Sequence, residues 1–183
     1  MKHEPSHLEI FFARLAFFLY GKSVYKEFAE RLPLKGNELV LDFGCGMGTV
    51  AYYAAKKLPQ GHLTCMDISG RWLDTCRRIL RSYENITFSQ QRNPELTKES
   101  FDVVYCHFVL YNFSEDELER TIPALVRSLR SYGVLVFREP LNEAEKLNMI
   151  KRLIEQSGMS LKNSRVTDIP LMSNALESIY IKQ

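Results

Sequence analysis

The sequence predicts an α/β fold in which a doubly wound parallel sheet carries helices on both faces. Strand-like apolar segments alternate with segments of helical periodicity along the 183 residues, and this alternation is typical of parallel strands joined by right-handed crossovers. In addition, the first strand runs into three alternate glycines and the second ends at Asp67. Because ligands bind beyond the carboxyl ends of such strands, both endings indicate a ligand site at that edge.

Apolar runs place the individual elements, with Gly and Pro at several junctions. The predicted strands lie near 38–43, 61–66, 86–89, 101–106, 132–138, 159–166 and 176–182. The predicted helices lie near 48–58, 70–82, 115–130 and 142–157. The third of these helices begins with a capping box, in which Ser114 and Glu117 satisfy each other's free amides. Pro123 predicts a kink within it.

Before the first strand, the sequence predicts an amphipathic helix. Its apolar residues recur at helical spacing, and we expect them to fold onto the rest of the domain. They are Leu8, Phe11, Phe12, Leu15, Phe18 and Leu19. The helix forms either a lid over the ligand site or a cover for one face of the sheet. Residues 1–183 are therefore predicted to be a single domain, with 1–33 as a helical extension.

Composition and charge argue against several classes of protein. The apolar stretch 10–20 is shorter than the roughly 20 residues that a membrane span needs. Arg14 interrupts that stretch and no small-residue cleavage site follows it, which argues against a signal peptide. A net charge of +2 and a pI near 8.3 do not support nucleic-acid binding, which favours a pI above about 9. We expect a cytoplasmic protein without a membrane span.

The cysteines give no sign of a metal site. They are Cys45, Cys65, Cys76 and Cys106. No two of them form a Cys-x-x-Cys pair, so their spacing indicates neither a zinc site nor a disulfide framework. We expect them to pack as small hydrophobic side chains and to bind no metal.

The segment 39–48 is the most specific motif in the chain. An apolar strand precedes Gly-x-Gly-x-Gly, and Asp42 stands two residues before the first glycine. Glycines let a ligand lie against the main chain, because they lack a Cβ. A dinucleotide-binding turn would place its third glycine at position 49, where the chain has Thr49. An acid beside the turn suits a ligand that presents a cation and repels a pyrophosphate.

These residues resemble the first motif of the class I S-adenosylmethionine-dependent methyltransferases, and the chain is similar to the small-molecule enzymes of that family. The resemblance implies a Rossmann-like sheet of order 3-2-1-4-5-7-6 with an antiparallel last strand. It also implies S-adenosylmethionine as the cofactor and S-adenosylhomocysteine as the product. The cofactor-binding residues that it implies are Asp42, Gly44, Cys45, Gly46, Gly48, Asp67, Ile68, Asn93 and His107.

Asp67 and Asn93 carry specific expectations within this set. An acid at the end of the second strand accepts hydrogen bonds from ribose hydroxyls. Asp67 also fits the N-cap of the helix that starts near Gly70, a role that Ser69 fills equally well. Asn93 stands where the family usually has an Asp that binds the adenine amino group, and its amide oxygen can accept the same hydrogen bond.

The fourth strand leads into residues 107–113, which resemble a later motif of the same family and are expected to line the pocket. Methyl transfer depends mainly on alignment of the reactants, so no single catalytic residue is required. The candidate catalytic residues are His107, Tyr111 and Glu139. His107 is favoured by its ordinary pKa, although a histidine at a strand end is often structural. Tyr111 also fits core packing.

Three functional hypotheses remain open at this point. The first is methyl transfer by in-line displacement to a small-molecule or lipid-like acceptor. The second is a catalytically silent cofactor-binding module that serves a partner protein. The third is an NAD-dependent oxidoreductase, which requires the irregular glycine spacing to hold a pyrophosphate. No Asn-Pro-Pro-Tyr or Pro-Cys signature follows the fourth strand, so no nucleic-acid partner is expected.

Overall fold

Seven strands form one sheet in the computed structural model of the chain, which describes residues 4–91, 96–169 and 173–183. The strands are β1 (Leu39–Phe43), β2 (His62–Asp67), β3 (Ile86–Gln90), β4 (Phe101–His107), β5 (Leu129–Pro140), β6 (Met159–Ile169) and β7 (Ser173–Lys182). Their order in the sheet is β3-β2-β1-β4-β5-β7-β6. β7 runs antiparallel to both β5 and β6. The sheet order and the antiparallel last strand are therefore confirmed.

Six α-helices accompany the strands in the described residues. They are α1 (His7–Tyr20), α2 (Glu27–Arg31), α3 (Ala51–Ala54), α4 (Gly70–Ile79), α5 (Glu115–Ser128) and α6 (Ala144–Gln156). A π-helical segment at Lys22–Lys26 joins α1 to α2, and 3₁₀ turns lie at Ala55–Lys57 and Leu110–Asn112. The helix predicted near 48–58 is thus a shorter α-helix followed by a 3₁₀ turn. None of the helices described is long and apolar enough to cross a membrane.

The chain divides into two compact units, Met1–Arg92 and Asn93–Gln183. In the first unit, β2 lies between β1 and β3, and all three strands are parallel. Phe43 at the end of β1 pairs with Met66 near the end of β2. Since the two strands end at the same edge, the turn that leaves β1 meets Asp67 directly.

The helix α1 forms at the predicted place, but its apolar stripe is not buried. The six stripe residues are between 43% and 84% exposed, so the prediction that they pack onto the domain is wrong. Instead, Phe17 contacts the rings of Tyr25, Tyr52 and Tyr53, at centroid distances of 5.8 to 6.1 Å. Helical spacing identified the larger apolar set. The face that meets the domain is a different one, on which Ile10, Ala13, Phe17 and Tyr20 are only partly exposed.

In the second unit, β5 pairs with parallel β4 and antiparallel β7. The predicted capping box at the start of α5 is present in full, with Ser114 and Glu117 bonded reciprocally. β5 begins at Leu129 rather than near 132. The reason is that Tyr132 adopts a φ of +63° inside the strand, where the pairing with β4 shifts register. An irregularity at Tyr132 therefore lies within the strand.

A buried ion pair joins β5 to β7. Arg138 pairs with Glu177 in the strand register, and its Nη2 and Nε donate to the carboxylate of Glu177 at 2.5 and 3.1 Å. The two side chains are 0% and 1% exposed. Arg165 of β6 also donates to Glu177, at 3.2 Å. Buried charges of this kind require good pairing, because desolvation of each ion costs several kcal/mol.

We expect Glu177→Ala to reduce the free energy of unfolding by about 3–5 kcal/mol, because it removes the carboxylate that faces a buried guanidinium. Urea denaturation followed by circular dichroism measures this change. The matched control is Asp102→Ala, which removes the half-exposed pair of Asp102 with Arg130 and should cost at most about 1 kcal/mol. Equal losses of unfolding free energy in the two variants would contradict a stabilising role for the buried ion pair of Arg138 and Glu177.

Candidate functional site

The glycine turn after β1 uses backbone angles that favour glycine. Gly44, Gly46 and Gly48 have φ values of +75°, +54° and +81°, in the left-handed region that other residues rarely adopt. The amides of Gly44 and Cys45 both donate to the carbonyl of Met66, at 2.8 and 3.0 Å. Three alternate glycines therefore let the chain fold back against the end of β2.

Two of these glycines face different surroundings. A Cβ built at Gly48 would lie 2.6 Å from the Sγ of Cys76, so this glycine allows close packing of the turn against α4. A Cβ built at Gly46 meets no heavy atom of the described residues within 4 Å. The main chain at Gly46 therefore borders open space, which is the arrangement in which a ligand can lie against a backbone.

Asp67 connects this turn to the start of α4. Its side chain is 3% exposed, with Oδ2 accepting from the amide of Gly46 at 2.8 Å and Oδ1 from the amide of Ser69 at 2.9 Å. Burial raises the pKa of Asp67, against the effect of these amides. The N-cap of α4 is Ser69, whose hydroxyl accepts from the amide of Trp72. The alternative role considered for Asp67 is therefore taken by Ser69.

The other predicted cofactor residues of the first unit lie around Asp67. Asp42 is 2% exposed and pairs with Cys65 in the strand register. Ile68 is partly exposed, as a side chain that packs on a ligand must be. Asn93 lies outside the described residues.

An N-terminal strap, residues 4–5, lies beside Ser69. The carboxylate of Glu4 accepts from the hydroxyl of Ser69 and from the amides of Gly70 and Arg71 at 3.1 and 3.3 Å. A guanidinium nitrogen of Arg71 donates to the carbonyl of Pro5 at 3.0 Å. The hydrogen bond from Ser69 lowers the pKa of Glu4. Sequence reasoning missed this contact, because no local motif links residues 65 positions apart.

Three cysteines also meet next to the turn. The Sγ atoms of Cys45, Cys65 and Cys76 lie within 4.8 Å of one another. They come from the turn, from β2 and from α4, so their spacing along the chain carries no sign of the cluster. Burial of all four cysteines agrees with the prediction. The convergence of three of them was not predicted.

In the second unit, Glu139 holds the segment that follows β4. Its carboxylate accepts from the amides of Val109, Leu110 and Tyr111, at 3.1, 2.8 and 3.2 Å, and its side chain is 0% exposed. Burial raises the pKa of Glu139 to about 7, against the effect of these amides and of Lys146. The carboxylate thus fixes the start of the 3₁₀ turn Leu110–Asn112.

The remaining two catalytic candidates flank a strained residue. His107 ends β4, and burial together with Arg138 holds its pKa well below its ordinary value. Phe108 follows with a φ of +55°, which costs of order 1 kcal/mol for a residue with a Cβ. Tyr111 is partly exposed, and its carbonyl accepts from the Nζ of Lys146 at 2.7 Å. No motif in the sequence indicated the strain at Phe108.

The raised pKa of Glu139 predicts a specific dependence of stability on pH. Between pH 4.5, the ordinary pKa of a glutamate, and about pH 7, Glu139 holds a proton in the native protein that it has lost in the unfolded chain. The free energy of unfolding therefore falls as pH rises through this window. A shift of this size corresponds to about 3 kcal/mol. Glu139→Gln lacks the titrating group and should lack this fall.

Urea denaturation of both proteins at pH 5 and pH 7.5 measures the difference. Glu139→Gln should lose some stability at both values, since an amide nitrogen cannot accept from the backbone. Parallel pH profiles for the two proteins would show that Glu139 does not titrate in this range.

Comparisons with known proteins agree with the geometry. A family model described as a methyltransferase domain matches residues 40–133, just over half of the chain. The demethylmenaquinone methyltransferase of Lactobacillus johnsonii is 28% identical over 129 residues, which are 67% of this chain and 53% of that protein. The trans-aconitate 2-methyltransferase of Methylobacterium radiotolerans is 27% identical over 137 residues, 72% of this chain and 49% of that protein. The chain thus spans about half the length of these curated relatives.

A solved structure has the same fold. A SAM dependent methyltransferase from Aquifex aeolicus superimposes with a TM-score of 0.74 at 16% identity, and the match covers 90% of this chain and 92% of that one. The family model matches the segment that contains the glycine turn and Asp67. The chain therefore belongs to the methyltransferase domain family.

Proposed function

We propose that this protein is an S-adenosylmethionine-dependent methyltransferase that acts on a small-molecule acceptor. The observation that carries the proposal is the open backbone at Gly46, whose amide is fixed by the buried carboxylate of Asp67 at 2.8 Å. Membership of the methyltransferase domain family supports the same activity. NAD-dependent oxidoreduction has no comparable support, because the third glycine stands at position 48.

The donor set of the first unit fits this cofactor. Asp42 and Asp67 bring two buried carboxylates to the edge of the sheet, where they suit ribose hydroxyls and a sulfonium cation and disfavour a pyrophosphate. Ile68 offers a partly exposed apolar side chain for the adenine ring. Gly44, Cys45, Gly46 and Gly48 supply the turn. Asn93 and His107 complete the cofactor residues implied by the family resemblance.

The contribution of the protein to the reaction is mainly alignment. When bound, S-adenosylmethionine supplies an activated methyl group that an acceptor atom displaces in line. Holding two reactants in such a geometry is worth roughly 7–11 kcal/mol, whereas a general base typically contributes about 10²- to 10⁴-fold. His107 remains neutral at pH 7, since its pKa lies well below the ordinary value. It is therefore a weak base that can orient an acceptor.

Tyr111 and Glu139 have complementary roles in this proposal. Tyr111 offers a partly exposed side chain to the acceptor. Glu139 fixes the backbone of the same segment through three amides, so it positions Tyr111 instead of touching the acceptor itself.

The acceptor is proposed to be small and to carry an apolar part. The apolar stripe of α1 is exposed in the first unit, and it offers aromatic and aliphatic side chains to such a group. The curated relatives are named for acceptors as different as demethylmenaquinone and trans-aconitate. Acceptor choice therefore lies in parts of the scaffold that vary between relatives.

Calorimetric titration with S-adenosylmethionine, S-adenosylhomocysteine and NAD tests the cofactor site. We expect micromolar binding of both sulfur nucleosides. Asp67→Ala should weaken it about 10- to 100-fold, because a hydrogen bond to a charged group is worth about 1.5–3 kcal/mol. Gly46→Ala should weaken it at least about tenfold, since its Cβ would enter the open space over the turn.

Gly158→Ala is the matched control for Gly46→Ala. Gly158 also has a positive φ, of +90°, and a Cβ there meets nothing within 4 Å among the described residues, but it lies between α6 and β6. The affinity of Gly158→Ala for S-adenosylmethionine should equal that of the wild type.

Binding of NAD alone, or of no nucleoside, would overturn the proposal. Formation of S-adenosylhomocysteine with any of a panel of small nucleophiles separates an enzyme from a silent binding module.

The N-terminal residues 1–33 are proposed to act as a lid that the strap fastens beside Asp67. Glu4→Gln should release this lid and raise the dissociation rate of S-adenosylmethionine several-fold, because its amide replaces a charged acceptor of three hydrogen bonds. Stopped-flow displacement measures the rate. Glu145→Gln changes the net charge equally at an exposed position on α6 and serves as control. An unchanged rate in Glu4→Gln would exclude the strap as a fastening for the lid.

A further inference from the structure

The three converging thiols form a site that the proposed function does not use. We propose that the thiol cluster of Cys45, Cys65 and Cys76 binds a single soft metal cation of the copper(I) type. The backbone of Cys45 belongs to the glycine turn, but its Sγ lies with the other two sulfurs, all within 4.8 Å of one another. The inference stands on these three sulfur positions and does not depend on the proposed methyl transfer.

The geometry is close to that of a three-coordinate metal. With metal–sulfur bonds of about 2.3 Å, three ligands in one plane lie about 4 Å apart. The sulfur atoms are at most 4.8 Å apart, so an inward movement of at most about 0.5 Å by each brings them to this arrangement. Gly48 contributes to this closeness, because a Cβ at that position would lie 2.6 Å from the Sγ of Cys76.

The donor set and its burial select the kind of ion. Thiolate sulfur favours soft cations such as copper(I) and disfavours magnesium or calcium, which take oxygen ligands. Structural zinc sites normally have four protein ligands, and this group offers three. The three residues are at most 7% exposed. A closed site of three sulfurs therefore suits an ion that is stable with three ligands.

The binding step exchanges protons for the metal ion. Each S–H bond that breaks is replaced by a metal–sulfur bond, and its proton passes to the buffer. No electron is transferred, so the step needs no oxidant or reductant.

Anaerobic loading of the reduced full-length chain with copper(I), followed by dialysis against a weak chelator, tests the inference. We expect about one equivalent of copper to be retained. X-ray absorption should then show three sulfur neighbours at about 2.3 Å. Because the ion binds the native state, the midpoint of thermal unfolding should rise by several degrees. Retention of less than a tenth of an equivalent, or a first shell with nitrogen or oxygen, would overturn the inference.

Single substitutions locate the ion. Cys65→Ala and Cys76→Ala should each weaken copper(I) binding at least tenfold, with circular dichroism confirming that each variant is folded. Cys106→Ala is the matched control, because Cys106 is equally buried but lies on β4, outside the cluster. It should retain one equivalent. Wild-type affinity in both cluster variants, or an equal loss in the control, would also overturn the inference. The X-ray absorption measurement uses the wild-type protein, so it tests whether sulfur binds the copper even if a variant fails to fold.

Discussion

The hydrogen bonds of the Asp67 carboxylate are the interaction on which the first unit depends. One oxygen fixes the amide of Gly46 and the other fixes the amide of Ser69, so a single buried acid joins the glycine turn to the start of α4. A buried carboxylate is costly unless such donors surround it. Ser69 extends this network to the N-terminal strap, since its hydroxyl donates to Glu4. Turn, helix and N-terminal strap are therefore one hydrogen-bonded system.

Local signals explain what the sequence predicted well. The glycine turn, Asp67 at the end of β2, and the capping box of α5 depend on residues close together in the chain, and the structure contains all three. Strand positions followed from continuous apolar runs, which are typical of buried parallel strands. The order of the strands could not be predicted from local signals. Alternation predicts a parallel sheet, but the order of seven strands came from the family resemblance.

Contacts between distant residues explain what the sequence could not supply. The strap joins residues 65 positions apart, and the thiol cluster draws on three separate elements. Neither the strap nor the thiol cluster corresponds to a characteristic spacing of residues along the chain. The predicted orientation of α1 was wrong for a related reason: its six-residue stripe is the stronger periodic signal, yet the ring that contacts the tyrosines is that of Phe17. Periodicity reports which face is apolar and does not report which surface receives it.

Burial also changes the chemistry that residue type suggests. By ordinary pKa, His107 is a base near neutrality and Glu139 is a fully ionised acid. In the structure, burial lowers the pKa of His107 well below its usual range and raises that of Glu139 to about 7. The three amides on Glu139 then make it a support for its loop. The lowered pKa makes His107 a weaker base, whereas a pKa of about 7 leaves Glu139 partly protonated near neutral pH. Residue type alone therefore does not predict the charge that either side chain carries at pH 7.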